Sequence, residues 1–214
     1  MIINPYIIKP FNLADLPEIK EIWLSENGVA LSGSDVLTWT GINGTVLTGL
    51  VGNRPTFVPD AINSLPAIRF NGVDQFMTGT ILDIGHVFVV LKPTGNETYG
   101  SLLSTTTNHV IIRGTSDVLY FSVASIFGET GTLDNMYKNS SLYSGMAFDS
   151  EWALYNTSGT PVSGVLELGR DTSGGGYAAG DIAAIIILDK QLTSGNRIDA
   201  QTFLLNKYGL PQLM

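Results

Sequence analysis

The sequence predicts an all-β protein, built as a two-sheet antiparallel sandwich with a short C-terminal helix and an extended N-terminal arm. Two largely apolar runs, His86 to Pro93 and Ile182 to Leu188, are too short to cross a bilayer as helices and require burial on both faces. The 24 Gly and 9 Pro are spread along the 214 residues, as expected of many turns between short strands.

The amino-acid composition argues against several classes of function. The net charge is −8 and the few Lys and Arg are scattered singly, which argues against a nucleic-acid partner. The absence of Cys excludes disulfides, thiolate metal sites and cysteine nucleophiles. The N-terminus has neither the basic region nor the apolar core of a signal peptide or membrane anchor. We therefore expect a product that begins at its own Met1 and does not insert into membranes.

Residues 1–12 are predicted to form an arm that docks on a neighbouring protein. Pro5 and Pro10 interrupt any helix and favour an extended segment. The apolar residues of this predicted assembly arm are Ile2, Ile3, Tyr6, Ile7 and Ile8. We expect residues 13–214 to form a single domain.

The segment after the arm predicts a short helical turn that starts after Asp15 and ends by Gly28. Strand and turn patterns follow from Val36 onward, and Asn71-Gly72 predicts a hairpin. Further strands are predicted at SLLST, HVIIRG, VLYFSVA, EWALYN and VLELGR.

The C-terminal region predicts a strand and a covering helix. Ile182 to Leu188 is rich in β-branched residues and follows a glycine-rich loop, which favours a strand. Strict alternation places Ile182 on the face opposite Ile185. Thr193 or Ser194 is the expected cap of a helix over about 195–208, which Gly209 and Pro211 end. The residues available to pack are Ile198, Phe203, Leu204 and Leu205.

Three segments together resemble a known family. They are RPTFVPDAINSLPAIRFNGVDQFM, HVFVVLKP and LELGRDTSGGGYAAGDIAAIIILDKQLTSGNRIDAQTFLLNKYGLP. They look like the concanavalin A-like, laminin-G-like jelly-roll domains of phage structural and bacterial surface proteins, from about Trp23 to the end. This resemblance implies two curved antiparallel sheets and a role in binding glycans, proteins or calcium, or as a structural module.

Catalytic chemistry is not predicted. Enzymes of this fold that cleave glucans use a Glu-x-Asp-x-Glu strand, which places two carboxylates on one face, and this motif is absent. The two histidines, His86 and His109, are interpreted as residues at strand ends. We therefore expect a protein that is not an enzyme, with no catalytic residues.

Binding residues are predicted at strand ends. Calcium is the one cofactor that the sequence leaves open, because carboxylate and amide oxygens suit it. Asp60 and Asp181 are the candidate metal ligands, and turn residues of these types more often bond their own backbone.

The candidate ligand-binding residues are Tyr177, Asn71, Asp74 and Asp171, with Tyr177 as the sugar-stacking aromatic. Trp23 and Trp39 are assigned to the core, and Trp152, Tyr99 and Tyr143 are the other aromatics considered for a sugar platform.

The resulting functional prediction is a structural and binding module of a phage virion, such as a capsid decoration, head-fibre or tail component. Its expected partners are other virion proteins or copies of itself. The alternative is a lectin-like domain of a bacterial cell surface or extracellular protein that binds surface glycans, with or without calcium.

Overall fold

A computed structural model describes residues 11–94, 101–105, 109–113, 119–120, 137–142, 150–170 and 176–212. Within these ranges the chain forms antiparallel β-sheet and one α-helix, as the sequence predicts. The strands are β1 Ile19–Leu24, β2 Val29–Ser32, β3 Asp35–Thr40, β4 Val46–Gly49, β5 Thr56–Ile62, β6 Leu65–Asn71, β7 Met77–Pro93, β8 Ser101–Thr105, β9 His109–Arg113, β10 Leu119–Tyr120, β11 Tyr137–Lys138, β12 Ser141–Leu142, β13 Ala153–Leu168 and β14 Ala179–Leu188. The helix α1 is Ser194–Tyr208, and a 3-10 turn spans Leu13–Asp15.

The two apolar runs pair directly with each other at the centre of the sheet. Strand β14 pairs with β7, with Ile186 opposite Phe88 and Ile185 opposite Val89. On its other side, β14 pairs first with β6 and then with β1. Strand β7 in turn has β13 along its second edge. Both runs are therefore interior strands whose backbone groups are satisfied on both edges.

These central strands are buried on both faces. Val87, Val89 and Leu91 enter a first core together with side chains of β3, β4 and β6. Phe88 and Val90, which alternate with them, enter a second core beneath α1. This alternation explains why neither run contains a polar face, and the predicted two-sided burial is confirmed.

A bulge in β14 changes which face Ile182 occupies. The register between β14 and β7 shifts between Ile182 and Ala184. Ile182 therefore lies in the first core with Ile185, and the strict alternation predicted from the sequence is wrong at this point. The carbonyl oxygen of Ala183, at the bulge, accepts hydrogen bonds from Ser25 N at 3.0 Å and from the Tyr208 hydroxyl at 3.4 Å.

The helical turn predicted between Asp15 and Gly28 is also wrong, since this segment contains strand β1. Ile22 and Trp23 are adjacent in sequence and lie in different cores, Ile22 beneath α1 and Trp23 in the first core. Neighbouring residues point to opposite faces in a strand but not in a helix. Burial on both faces therefore overrides the local helical signals.

A buried carboxylate fixes the loop next to β1. Glu21 is fully buried, and its oxygens accept hydrogen bonds from Asn43 N and Thr45 N, each at 2.7 Å. A Cβ on Gly41 would collide with the Glu21 side chain, so this position requires glycine. Glu21 thus replaces water for the backbone amides of the loop between β3 and β4.

The C-terminal helix is confirmed, with one change in its packing face. Thr193 caps it by accepting from Asn196 N, and Gly209 ends it in the left-handed conformation. Leu204 and Leu205 are buried against the sheet, whereas Ile198 is 52% exposed and does not pack as predicted.

The hairpin predicted at Asn71-Gly72 is a turn between strands that do not pair with each other. Strands β6 and β7 lie on opposite edges of β14. The hairpin instead joins β5 to β6 through Asn63 and Ser64, which have φ of 47° and 59°. Two consecutive positive φ values are typical of the two-residue turns that match strand twist.

Several predicted features lie outside the described residues. They are the arm residues Ile2, Ile3, Tyr6, Ile7 and Ile8, the aromatics Tyr99 and Tyr143, and Asp171. Among the described residues, no helix is long and apolar enough to span a membrane.

The two-sided burial predicts unequal costs for two isoleucine truncations. Ile185→Ala removes a fully buried side chain and should lower the free energy of unfolding by about 2–5 kcal/mol. Ile198→Ala, on the exposed face of α1, should change it by less than about 0.5 kcal/mol. Urea unfolding of both variants measures the difference, and equal stabilities would contradict the assignment of β14 to the interior.

Candidate functional site

Two of the predicted ligand-binding residues form a closed turn after β6. Asn71 Oδ1 accepts hydrogen bonds from Val73 N at 2.9 Å and from the Asp74 and Gln75 amides at 3.2 Å. Asn71 Nδ2 donates to Asp74 Oδ1 at 2.9 Å. Both side chains therefore stabilise the turn, the role that Asn and Asp usually have in turns.

Tyr177 lies beside this turn and is less exposed than the sequence suggested. Asn71 pairs with Ala179 across the sheet, so the segment that leads into β14 runs next to the turn. The Tyr177 ring is half-buried, 6.3 Å from the ring of Phe76. The guanidinium of Arg170 lies 3.8 Å from the centre of the Phe76 ring. The structure thus joins Asn71 to Asp74 in one turn and places Tyr177, which contacts Phe76, on the segment next to that turn.

The two predicted metal ligands do not form a metal centre. Asp181 is 2% exposed, and its two oxygens accept from Arg69 Nε at 2.7 Å and Nη2 at 2.8 Å. Asp60 is exposed in the middle of β5. Among the described residues, no three His, Asp or Glu side chains are grouped to hold a metal ion. The Asp181 carboxylate is therefore already engaged by a bidentate guanidinium.

The sequence predicts His86 at a strand end, and this prediction is wrong. The structure places His86 in the interior of β7. Leu192 N donates to His86 Nδ1 at 3.2 Å, and Nε2 lies 3.4 Å from Asn156 Oδ1. Since Nδ1 accepts, Nε2 carries the proton and donates to Asn156. Burial lowers the pKa of His86 to about 4, and the positive charge of Arg197 adds to this shift. His86 is a neutral structural residue at neutral pH.

Two neighbouring turns display apolar side chains to solvent. Leu50 and Val51, between β4 and β5, are 51% and 81% exposed, and Val73, in the turn after β6, is 70% exposed. Phe76 N donates to Asn53 O at 3.0 Å, which ties the two turns together. We name Leu50, Val51 and Val73 the end patch. Large exposed apolar patches mark protein interaction surfaces, whereas single exposed apolar side chains are ordinary, and we therefore treat the end patch as a candidate interaction surface.

A pocket of about 440 Å³ lies elsewhere, where the β5–β6 turn, the start of β13 and the end of α1 meet. Asn63, Glu151, Trp152 and Pro211 are among its lining residues. Trp152 is half-buried, and its indole Nε1 donates to Ala61 O at 3.2 Å. Glu151 is exposed and has no ion-pair partner among the described residues.

The sequence singles out Trp152 as an aromatic residue for a sugar platform but does not indicate this pocket. Asn63-Ser64 between Ile62 and Leu65 is a turn signal that marks one wall. No sequence pattern relates this turn to Glu151 or to Pro211, because the three segments are far apart along the chain.

Trp23 and Trp39 are fully buried in the first core, as predicted. Trp23 Nε1 donates to Trp39 O and Thr45 O, each at 3.2 Å, and Trp39 Nε1 donates to Leu24 O at 3.1 Å. Both indoles are therefore structural, since their only polar atoms bond the backbone.

Comparison with known proteins finds similarity in solved structures only. No protein family and no curated protein sequence matches the chain. Trypanosoma rangeli sialidase in complex with 2,3-difluorosialic acid, as a covalent intermediate, matches 89% of the chain at 11% identity and a TM-score of 0.49. Another structure of Trypanosoma rangeli sialidase matches 90% of the chain at 11% identity and a TM-score of 0.48.

These neighbours correct one expectation. The sequence predicts that the chain is not an enzyme, and the two solved structures described above are of enzymes. The chain spans 33% of the length of each sialidase, about a third. A fold hosts many functions, so at 11% identity no activity is transferred from the sialidases to this chain.

The buried position of His86 predicts that the free energy of unfolding decreases at acidic pH. Because its pKa is about 4 in the folded chain and 6.5 in the absence of burial, protonation favours the unfolded state. The contribution of neutral His86 to stability is complete above about pH 6.5 and is lost as the pH falls toward 4. We expect a loss of roughly 2–3 kcal/mol between pH 7 and pH 4.5 from this group. Urea unfolding at both pH values measures it.

The matched variant is His86→Gln, which cannot be protonated. The difference between its stability at pH 7 and at pH 4.5 should be smaller than that of the wild type. Equal pH dependence in both proteins would show that His86 is not the group responsible.

Proposed function

We propose that the chain is a structural and binding module of a virion, in which residues 13–214 form one concanavalin A-like, two-sheet jelly-roll domain. In support of this fold, Val36, Trp39 and Leu47 of β3 and β4 pack in the first core with Val89 and Ile185 of the central strands, and all of these strands belong to one hydrogen-bonded sheet. In this proposal the domain attaches the virion component to its neighbours. A location at the bacterial surface or outside the cell is the alternative.

The observation that carries this proposal is the end patch. Its three apolar side chains lie on short turns that hydrogen bonds hold to each other and, through Asn71, to the end of β6, which reduces the backbone entropy lost on binding. The partner that fits them is an apolar surface of a neighbouring virion protein. The net charge of −8 keeps free copies of the chain apart until this contact forms.

The triple variant Leu50→Ser, Val51→Ser, Val73→Ser tests the patch. We expect it to fold with the wild-type melting temperature, because these side chains are exposed, and to lose incorporation when co-expressed with the products of adjacent genes. Gradient sedimentation of the assembled particles measures incorporation. Ile42→Ser, Ile198→Ser is the matched control, since these residues are 53% and 52% exposed elsewhere. Incorporation of the triple variant at the wild-type level would refute the proposal.

The predicted N-terminal arm provides a separate contact in this proposal. Deletion of residues 1–10 should leave the domain folded and reduce incorporation in the same sedimentation assay. If the deleted protein enters the particle as efficiently as the full chain, the arm has no role in assembly.

A second candidate function is lectin-like glycan binding, favoured by the convergence of Tyr177, Asn71 and Asp74 at one end of the sheet. An aromatic ring next to turn carboxylate and amide groups suits a sugar, with or without a calcium ion. A glycan array with and without calcium should show binding that Tyr177→Ala weakens. Tyr137→Ala, at another half-buried tyrosine, is the control. A blank array under both conditions would exclude this function.

A further inference from the structure

The pocket between the β5–β6 turn, the start of β13 and the end of α1 has its own ligand chemistry. We propose that it is a carbohydrate subsite that binds a neutral sugar residue through Trp152, Glu151 and Asn63. This proposal deepens the lectin-like candidate, on which it rests for its biological use. It concerns a surface different from that of Tyr177.

The residue types at this pocket match the two kinds of surface on a sugar. The apolar C–H face of a pyranose packs on an aromatic ring, and Trp152 is the largest aromatic side chain in the lining. Sugar hydroxyls donate to charged acceptors with strong hydrogen bonds, and Glu151 supplies an exposed carboxylate. Asn63 Nδ2 donates to Lys207 O at 3.0 Å, so its Oδ1 is the amide atom left to accept from a ligand.

The pocket walls are held in place before any ligand arrives. The hydrogen bond from Trp152 Nε1 to Ala61 O fixes the indole against the β5–β6 hairpin. Asn63 has a positive φ within a two-residue turn, which restricts its backbone. A Cβ on Gly209 would lie 3.2 Å from Asn63 Cγ, so the end of α1 packs closely against the same side chain. Preorganised walls reduce the entropy lost on binding.

Charge selects a neutral ligand over an acidic one. The described lining residues include Glu151 and no Lys or Arg. The nearby Lys207 points its ammonium to Glu26, with Nζ 2.6 Å from Oε1. A carboxylated sugar would therefore meet Glu151 without a compensating cation, in a chain of net charge −8. Sialic acid and uronic acids are disfavoured on this ground.

The pocket also differs from a site for quaternary ammonium ions. Such sites surround the cation with several aromatic faces. Here the lining contains one partly exposed ring, Trp152, because Tyr208 is 1% exposed and its hydroxyl bonds Ala183 O. Directional acceptors such as Asn63 Oδ1 suit hydroxyl donors, which a methylated ammonium lacks.

The experiment is a glycan array of neutral oligosaccharides ending in glucose, galactose, mannose or N-acetylglucosamine, printed beside the same oligosaccharides capped with sialic acid. We expect binding to at least one neutral series and its loss on capping. Calorimetric titration with the strongest neutral oligosaccharide then gives Kd for each variant. Glu151→Gln and Trp152→Phe should each weaken binding about tenfold or more, since each removes a charged hydrogen bond or aromatic contact area.

The control variant is Asp199→Asn, which neutralises an exposed carboxylate on α1 and should leave Kd unchanged. Glu151 is exposed, so Glu151→Gln keeps the test valid if Trp152→Phe disturbs folding. The proposal is overturned if no neutral glycan binds, if both pocket variants keep the wild-type Kd, or if tetramethylammonium chloride competes for the pocket. Loss of binding in Tyr177→Ala with wild-type Kd in both pocket variants would overturn the pocket and leave the lectin-like candidate standing.

Discussion

The pairing of β7 with β14 is the contact on which the rest of the fold depends. Each strand alternates apolar side chains between two faces, so both faces must be covered by other apolar side chains. One cover comes from β3, β4 and β6, and the other comes from α1 with Leu13 and Leu16. Burying each Val or Ile stabilises the fold by roughly 1.5–3 kcal/mol, so both covered faces contribute to stability.

Polar groups inside this apolar framework each hold one specific segment. Glu21 binds the loop between β3 and β4, Asp181 binds Arg69 on β6, and His86 binds the backbone just before α1. A buried polar atom without a partner is costly, so such groups fix the positions of their partners. This explains why Asp181, which looks like a ligand residue in the sequence, is occupied by Arg69.

The two proposed binding surfaces lie at the turns between strands and at the end of α1. The end patch displays apolar side chains on two joined turns, and the Trp152 pocket combines an aromatic ring with a carboxylate and an amide. An apolar patch suits a protein surface, whereas the mixed chemistry of the pocket suits a polyhydroxylated ligand. The two proposed binding surfaces, the end patch and the Trp152 pocket, therefore share no residue.

The sequence by itself determined the elements whose local signals agree with their burial. Ile182 to Leu188 is a strand and 194–208 is a helix, because β-branched content, caps and glycine stops all favour these structures. Tertiary structure decided the rest. Strand β1 has local features of a helical turn, but Ile22 and Trp23 face different cores. Only the bulge places Ile182 in the same core as Ile185, and only the long-range hydrogen bond from Trp152 to Ala61 brings the β5–β6 hairpin next to the start of β13. Long-range contacts of this kind leave no periodic trace in the chain, since periodicity reports only which face of an element is apolar.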